Sequence, residues 1–377
     1  MKYMGSKRTM LRNGLGEVIA KRVSEAPGFA DLFTGSGAVA CHVAENFDTP
    51  VKASDLQHFA VALANSVISR TSRFESSEWI ANWVKRSLNA ASSSTVWQAA
   101  TKLQHTLTEP SVVENAEIAR SISSQSDNDL TQAYGGWYFS PLQAEIISSL
   151  RQCLPQESAQ RSVALAALIS AASSCAASPG HTAQPFKSTT GAGKFLIEAW
   201  RKDVVDIVSR QCAAVSARTA HCIGSAKVQS ADEMARELTQ GWVAFVDPPY
   251  SSVHYSRFYH VLESIARGYV GEVSGAGRYP PISDRPSSDF SIPTKAEMAF
   301  ISLFNELATV GAEVVLTFPN EGASNGISGD RLRELASEKF SIVQEKVSSR
   351  MSTMGGNTQH RAARHDTVEL ILCLTPN

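Results

Sequence analysis

The sequence predicts an α/β chain built on a mostly parallel sheet, with a mainly helical segment inserted between the two halves of that sheet. Three observations carry the prediction. Near the amino end a short apolar strand, Ala30 to Phe33, runs into Gly35-Ser36-Gly37 and then into helix formers, Ala38 to Ala44. Far along the chain a second apolar run, Trp242 to Val246, is stopped at once by Asp247-Pro248-Pro249-Tyr250. Between them, residues 71–194 show helical periodicity without a strong strand signal.

The first stretch is basic. Residues 1–22 hold Lys2, Lys7, Arg8, Arg12, Lys21 and Arg22 against the single Glu17, and no continuous apolar core follows, which argues against a secretory signal. In the strand, turn and helix that come next, Gly35 and Gly37 let the backbone approach a ligand, and the first N–H groups of the helix suit an anionic carboxylate. A plain tight turn is the alternative. Val51 to Ser54 then reads as a second strand ending in Asp55, eighteen residues beyond Gly37. That is close to the offset at which a carboxylate grips ribose hydroxyls in nucleotide-binding βαβ units. Otherwise Asp55 caps a helix over Leu56 to Ile68.

The insertion reads as helices over Trp79 to Leu88, Thr95 to Leu107, Pro141 to Cys153 and Arg161 to Ala176. Trp79 and Trp83 lie four apart and are read as core packing, and Ser121 to Asn128 as a surface loop. The longest apolar run, Val163 to Ala172, is too short and serine-flanked to span a membrane and predicts a buried helix. Gln184 to Lys194, with Gly191-Ala192-Gly193, is a loop able to reach a base edge or a phosphate, or a solvent loop without function. The carboxyl third returns to the sheet. Glu313 to Phe318 is a strongly apolar strand, Asp330 to Glu338 an amphipathic helix, and Phe340 to Val347 with Thr367 to Leu374 an antiparallel edge hairpin. Residues 278–294, with four prolines, form a loop that either orders over the site or stays slack.

Composition sets bounds. A chain of 377 residues with 43% apolar residues can bury one large core or two modest ones. The sequence therefore divides into residues 1–70 and 195–377, which carry the sheet, and 71–194, a helical insertion. Six cysteines form no Cys-x-x-Cys pair and no zinc spacing, which predicts reduced thiols, a cytoplasmic protein and no metal. A net charge of −1 does not advertise a nucleic-acid partner, but the charge is uneven: Arg350 to His365 holds three arginines and two histidines with no acid.

Asp247-Pro248-Pro249-Tyr250 places a carboxylate, a rigid turn and an exposed aromatic just beyond the carboxyl end of a strand, where doubly wound sheets bind ligands. Methyl transfer to an exocyclic amino group fits these residues. Such a nitrogen is a poor nucleophile while its lone pair is delocalised into the ring, so it needs acceptors for its N–H bonds and a flat partner to hold the base. Asp247, a proline carbonyl and Tyr250 supply them.

Four segments together resemble the α-group, D12-class adenine-specific DNA methyltransferases. They are Lys2-Tyr3-Met4-Gly5-Ser6-Lys7-Arg8, Asp31-Leu32-Phe33-Thr34-Gly35-Ser36-Gly37, Ser54-Asp55, and Asp247-Pro248-Pro249-Tyr250 continued through Tyr255-Ser256-Arg257-Phe258-Tyr259-His260. Ala183-Gln184-Pro185-Phe186 looks like a degenerate form of the family's short segment near its DNA-reading hairpin. The resemblance implies a Rossmann-like fold using S-adenosylmethionine, with Tyr3, Lys7, Phe33, Gly35, Gly37, Asp55 and Asp247 at the cofactor. It also implies double-stranded DNA as partner and transfer to N6 of a flipped adenine by Asp247, Pro248, Pro249 and Tyr250. Arg8, His181, Gln184, Lys187, His254, Tyr255, Arg257 and Arg361 are the candidate DNA contacts, and a cognate restriction endonuclease is a candidate partner. Two rivals stand beside this reading: a methyltransferase acting on RNA or a protein glutamine, and a non-catalytic DNA-binding subunit of a modification complex.

Overall fold

The computed structural model describes residues 6–189, 191–251, 255–319, 323–348 and 368–377. Apolar runs separated by helix-length segments pair in parallel through crossovers. Seven strands form here: β1 (Phe29–Asp31), β2 (Val51–Asp55), β3 (Ser225–Val228), β4 (Val243–Val246), β5 (Glu313–Pro319), β6 (Phe340–Ser348) and β7 (Val368–Pro376). They make one sheet in the order β3-β2-β1-β4-β5-β7-β6. β1 to β5 are parallel, and β7 lies antiparallel between β5 and β6. The expected antiparallel pair is therefore present, with β6 rather than β7 at the edge.

This order fixes where a ligand can sit. From β1 the chain crosses to β2 on one side, and later enters β4 on the other side of β1. Loops leaving the carboxyl ends of β1 and β4 diverge there and open a crevice. The strands are held by an apolar face: Leu32, Val246, Leu316 and Phe318 pack against Phe300, Leu303, Phe304 and Leu307 of the helix Ala296–Thr309, all of them buried. Burial of each such side chain contributes roughly 1.5–3 kcal/mol, so the crevice rests on a stiff base.

The chain divides into two compact units. One holds the sheet and comprises 4–72, 219–255 and 286–377. The other comprises 73–218 and 256–285 and is helical, with Glu78–Ser92, Trp97–Thr106, Val112–Ser123, Pro141–Gln152, Ser158–Cys175, Gly193–Trp200, Val204–Ser216 and Ser256–Arg267 as its longer helices. Packing draws this unit wider than composition does. Trp200 is fully buried in the helical core with Leu103, Leu107 and Val112. Arg151 donates to the carbonyls of Ile265 and Ala266 at 2.8 and 3.0 Å, and the single Tyr138 hydroxyl proton is shared between the carbonyls of Thr182 at 2.7 Å and Gly277 at 2.9 Å. The chain from 195 to 218 and from 256 to 285 thus packs with the helices.

Several local expectations change. The helix Val112–Ser123 occupies the start of the stretch read as a surface loop, because Ala116, Ala119 and Ser123 are buried. β3 has no counterpart in the sequence reading: it is an edge strand with an exposed Val228, so no apolar run announces it. Trp83 is buried and donates from its indole to the Leu150 carbonyl at 3.1 Å, as core packing requires. Val163 to Ala172 lies inside the helix Ser158–Cys175, and no helix among the described residues is long and apolar enough to cross a membrane. No disulfide joins any of the six cysteines, all of which lie among the described residues.

Candidate active site

The carboxyl ends of β2, β1 and β4 lie side by side, and each ends on or beside an aspartate: Asp55, Asp31 and Asp247. Three carboxylates converging at one edge repel one another unless cations, N–H groups or protons intervene. Each finds a different solution.

Asp247 is held by a cation and a hydroxyl. Lys7 Nζ stands 3.0 Å from its Oδ1, with Lys7 only 5% exposed and Asp247 17% exposed. Thr317 Oγ1, at the carboxyl end of β5, donates to the same oxygen at 2.8 Å. Among the described residues no partner holds Oδ2. The sequence reading placed both Lys7 and Asp247 at the cofactor, and the structure pairs the two. Lys7 is buried against this carboxylate because a helical stretch begins directly after it at Arg8, with the Leu11 N–H donating to the Lys7 carbonyl at 2.8 Å.

Asp55 is held by backbone. Its Oδ2 accepts from the Gly35 N–H at 2.8 Å and its Oδ1 from the Gln57 N–H at 2.9 Å. The carboxylate thus ties the glycine turn after β1 to the end of β2. Gly35 and Gly37 have φ values of 50° and 71°, a region that favours glycine. A Cβ on Gly37 would stand 3.3 Å from the backbone N and Cα of Ala64. The turn is closed further by Gly37 N–H donating to the Thr34 carbonyl at 2.8 Å.

Asp31 is the odd one. It is 1% exposed; Oδ2 accepts from the Ala40 N–H at 3.2 Å, and Oδ1 has no hydrogen-bond partner among the described residues. Burial first, then the charges of Asp247 and Asp55, push its carboxyl up from about 3.8 to about 7, against the lowering pull of the Ala40 N–H. It is thus largely neutral in mildly acidic solution.

The turn after β4 is braced from behind. The Tyr250 carbonyl accepts from the N–H groups of Ser324 and Asn325 at 3.0 and 3.3 Å. Asn325 is fully buried, and its side chain donates to the Phe290 carbonyl at 3.1 Å. Tyr250 is half-buried rather than exposed as the sequence suggests, edge-on to Phe318 at 6.5 Å, because the ring covers the end of the core. Tyr255 stands beside it, and burial first, then the neighbouring Tyr250 and Asp247, push its phenol upward. Phe33 packs edge-on against Phe290 at 5.1 Å.

The structure therefore brings together Lys7, Phe33, Gly35, Gly37, Asp55, Asp247, Pro248, Pro249, Tyr250 and Tyr255 in the sheet unit, where Arg8 is exposed on the same segment as Lys7. Tyr255 is half-buried next to Tyr250. His181, Gln184, Lys187 and Arg257 belong to the helical unit. Tyr3, His254 and Arg361, with the basic stretch 350–365, lie outside the described residues. Thr317, Phe290 and Asn325 escaped the sequence reading. Thr317 had a signal: it is the one hydroxyl inside the run Val314 to Phe318, and an unmatched polar group in a buried strand needs a partner.

Residues 3–96 and 213–364 match the family of D12 class N6 adenine-specific DNA methyltransferases. The chain is also similar to the modification methylase LlaI of Lactococcus lactis subsp. lactis, 24% identical over 349 residues that cover 91% of this chain and 49% of the relative. The chain thus spans about half the length of that relative.

The state of Asp31 gives a pH signature. Its folded-state value lies above its unfolded one, so the stability it contributes is present below pH 4 and is lost as pH rises through 7. Asp31→Asn keeps an acceptor for Ala40 and cannot ionise. Thermal or urea unfolding between pH 4 and 8 should show the variant gaining on the parent protein as pH rises, by on the order of 3 kcal/mol over the range. A difference that does not change with pH contradicts a titrating Asp31.

Proposed function

The chain belongs to the D12 class of N6 adenine-specific DNA methyltransferases, and we propose that it transfers a methyl group from S-adenosylmethionine to N6 of an adenine rotated out of duplex DNA. The observation that supports this best is Asp247, fixed through Oδ1 by Lys7 and Thr317 while Oδ2 is left to the crevice.

Several residues fit the methyl donor. The glycine turn at Gly35 and Gly37 has no Cβ to keep a ligand off the backbone, and Asp31 offers a buried carboxyl oxygen without a partner among the described residues. Asp55, whose two backbone bonds fix its orientation, suits ribose hydroxyls. When bound, the donor supplies an electrophilic methyl and its own leaving group. The protein's task is then positioning. Asp247 Oδ2 and the Pro248 carbonyl would accept hydrogen bonds from the two amine N–H groups, which turns the nitrogen lone pair toward the methyl, and the one proton that N6 loses as its bond to carbon replaces the sulfur–carbon bond would leave by way of Asp247 Oδ2 to water. The Lys7 ammonium balances the negative charge of the Asp247 carboxylate, which acts as an acceptor and not as a donor. Tyr250 offers a ring face to the extruded base, a contact worth on the order of 1–3 kcal/mol. Extrusion is needed because a stacked adenine cannot present N6 to a crevice of this kind.

The name of the similar LlaI protein, a modification methylase, supports a role in protecting DNA against a cognate restriction endonuclease, and with it a cytoplasmic setting. The helical unit is the natural carrier of target recognition, since the sheet unit holds the chemistry.

Two measurements test this. Incubated with methyl-labelled S-adenosylmethionine, the protein should label adenine N6 in duplex DNA, and Asp247→Ala should lower kcat by on the order of 10²-fold or more. Labelling of RNA or protein in place of DNA, or turnover preserved in Asp247→Ala, contradicts the assignment. In calorimetric titration Gly37→Val, with its strained φ and a side chain aimed at Ala64, should weaken S-adenosylmethionine binding at least tenfold. Unchanged affinity places the donor elsewhere.

A further inference from the structure

Four arginines of the helical unit are held by aromatic rings, and three of them also by backbone carbonyls. Arg257 and Arg285 stand over the ring of Tyr279 at 4.9 and 5.1 Å, and Arg120 and Arg278 over the ring of Trp137 at 4.0 and 5.6 Å. Arg285 Nε donates to the Pro280 carbonyl at 2.8 Å, Arg278 Nε to Ala133 at 2.8 Å, and Arg120 Nε to Gly136 at 3.3 Å. Among the described residues none of the four has a carboxylate within ion-pair distance; the nearest charge acting on Arg120 is Glu117. Several arginines elsewhere are matched with carboxylates, Arg210 with Asp206, Arg236 with Glu306 and Arg331 with Glu297 and Glu334, whereas Arg151 and Arg201 bond backbone carbonyls with, among the described residues, no ring beneath them.

The two stacks flank the same stretch of chain. Tyr279 Oη donates to the Ala183 carbonyl, Tyr138 Oη donates to Thr182 at 2.7 Å, and an Arg120 N–H reaches Ser188 Oγ at 3.3 Å. Residues 178–194 contain His181, Lys187 and Lys194 and no acid, and Gln184 and Lys187 are exposed. An acid-free loop is thus pinned at both ends to ring-stacked guanidinium groups that lack counter-charges. Stacking fixes the plane of a guanidinium and leaves most of its N–H groups directed outward, so less freedom is lost when they grip a planar-faced anion such as a phosphate.

We propose that Arg120, Arg257, Arg278 and Arg285, preset on Trp137 and Tyr279, are backbone-phosphate contacts of the helical unit to duplex DNA, on either side of the 181–188 loop. The proposal rests on the DNA-methylating reading above and assigns which cations of the helical unit carry the affinity. A face made of four guanidinium groups without carboxylate partners fits a polyanion with regularly spaced charges. Phosphate contacts position a protein on the duplex without reading its sequence, which leaves the loop between the stacks to meet base edges.

The test is the salt dependence of binding by the full chain to a labelled duplex of about 30 base pairs between roughly 50 and 300 mM salt. Arg257→Gln and Arg285→Gln are the deciding variants, because Arg257 is exposed and held by Tyr279 while Arg285 adds a single carbonyl. Each removed phosphate contact should lower the slope of log Kobs against log salt by about 0.9. Arg257→Lys and Arg285→Lys, which keep the charge, should restore most of that slope, whereas a merely structural role would not be rescued by charge. Slopes equal to that of the parent protein in both glutamine variants, with duplex binding and methylation by the parent intact, overturn this inference alone. A parent protein that neither binds nor methylates duplex DNA overturns the functional reading with it.

Discussion

The ion pair between Lys7 and Asp247 is the constraint around which the site is arranged. Taking an ammonium and a carboxylate out of water costs several kcal/mol per ion, and only close geometry with further hydrogen bonds offsets it. The 3.0 Å approach and the added bond from Thr317 supply that geometry. Removing one partner leaves the other charge buried and alone, which typically costs about 3–5 kcal/mol. Lys7, β4 and β5 are thereby locked together although 240 residues separate Lys7 from Asp247.

The other two carboxylates follow from the same arrangement. A parallel sheet brings the ends of β2, β1 and β4 to one edge, and Lys7 is the cation paired there among the described residues. Asp55 is satisfied by backbone N–H groups of the turn it organises. Asp31, buried with one oxygen unpartnered among the described residues, takes up a proton more readily. One edge thus holds an ion-paired acceptor, a backbone-oriented acceptor and a carboxyl near neutrality, each set by its surroundings and not by residue type. Groups driven apart in this way are characteristic of reactive sites.

Much of this was legible in the sequence. Gly35-Ser36-Gly37 after an apolar strand, and Asp247-Pro248-Pro249-Tyr250 after another, located both lips of the crevice, because turn chemistry is local. What the residues touch was not legible. That Lys7 meets Asp247, or that Thr317 stands beside it, depends on strand order, which places β5 next to β4 with Val246 opposite Leu316. The helical unit extends further than the sequence suggests for a similar reason: 195–218 and 256–285 look like ordinary helices in sequence, and only the buried Trp200 and the bonds from Arg151 and Tyr138 show which core they join. Edge strand β3, polar and exposed, left no periodic signal at all.

In this mechanism Lys7 and Asp247 act as one unit. A double-mutant cycle in kcat for methyl transfer to duplex DNA, using Lys7→Met, Asp247→Asn and the pair, tests this most directly. If Lys7 acts by holding the Asp247 carboxylate in place as a charged acceptor, each single variant should lose most of the turnover and the double variant should be little worse than Asp247→Asn. Losses that simply multiply would show the two residues working independently and would contradict that coupling.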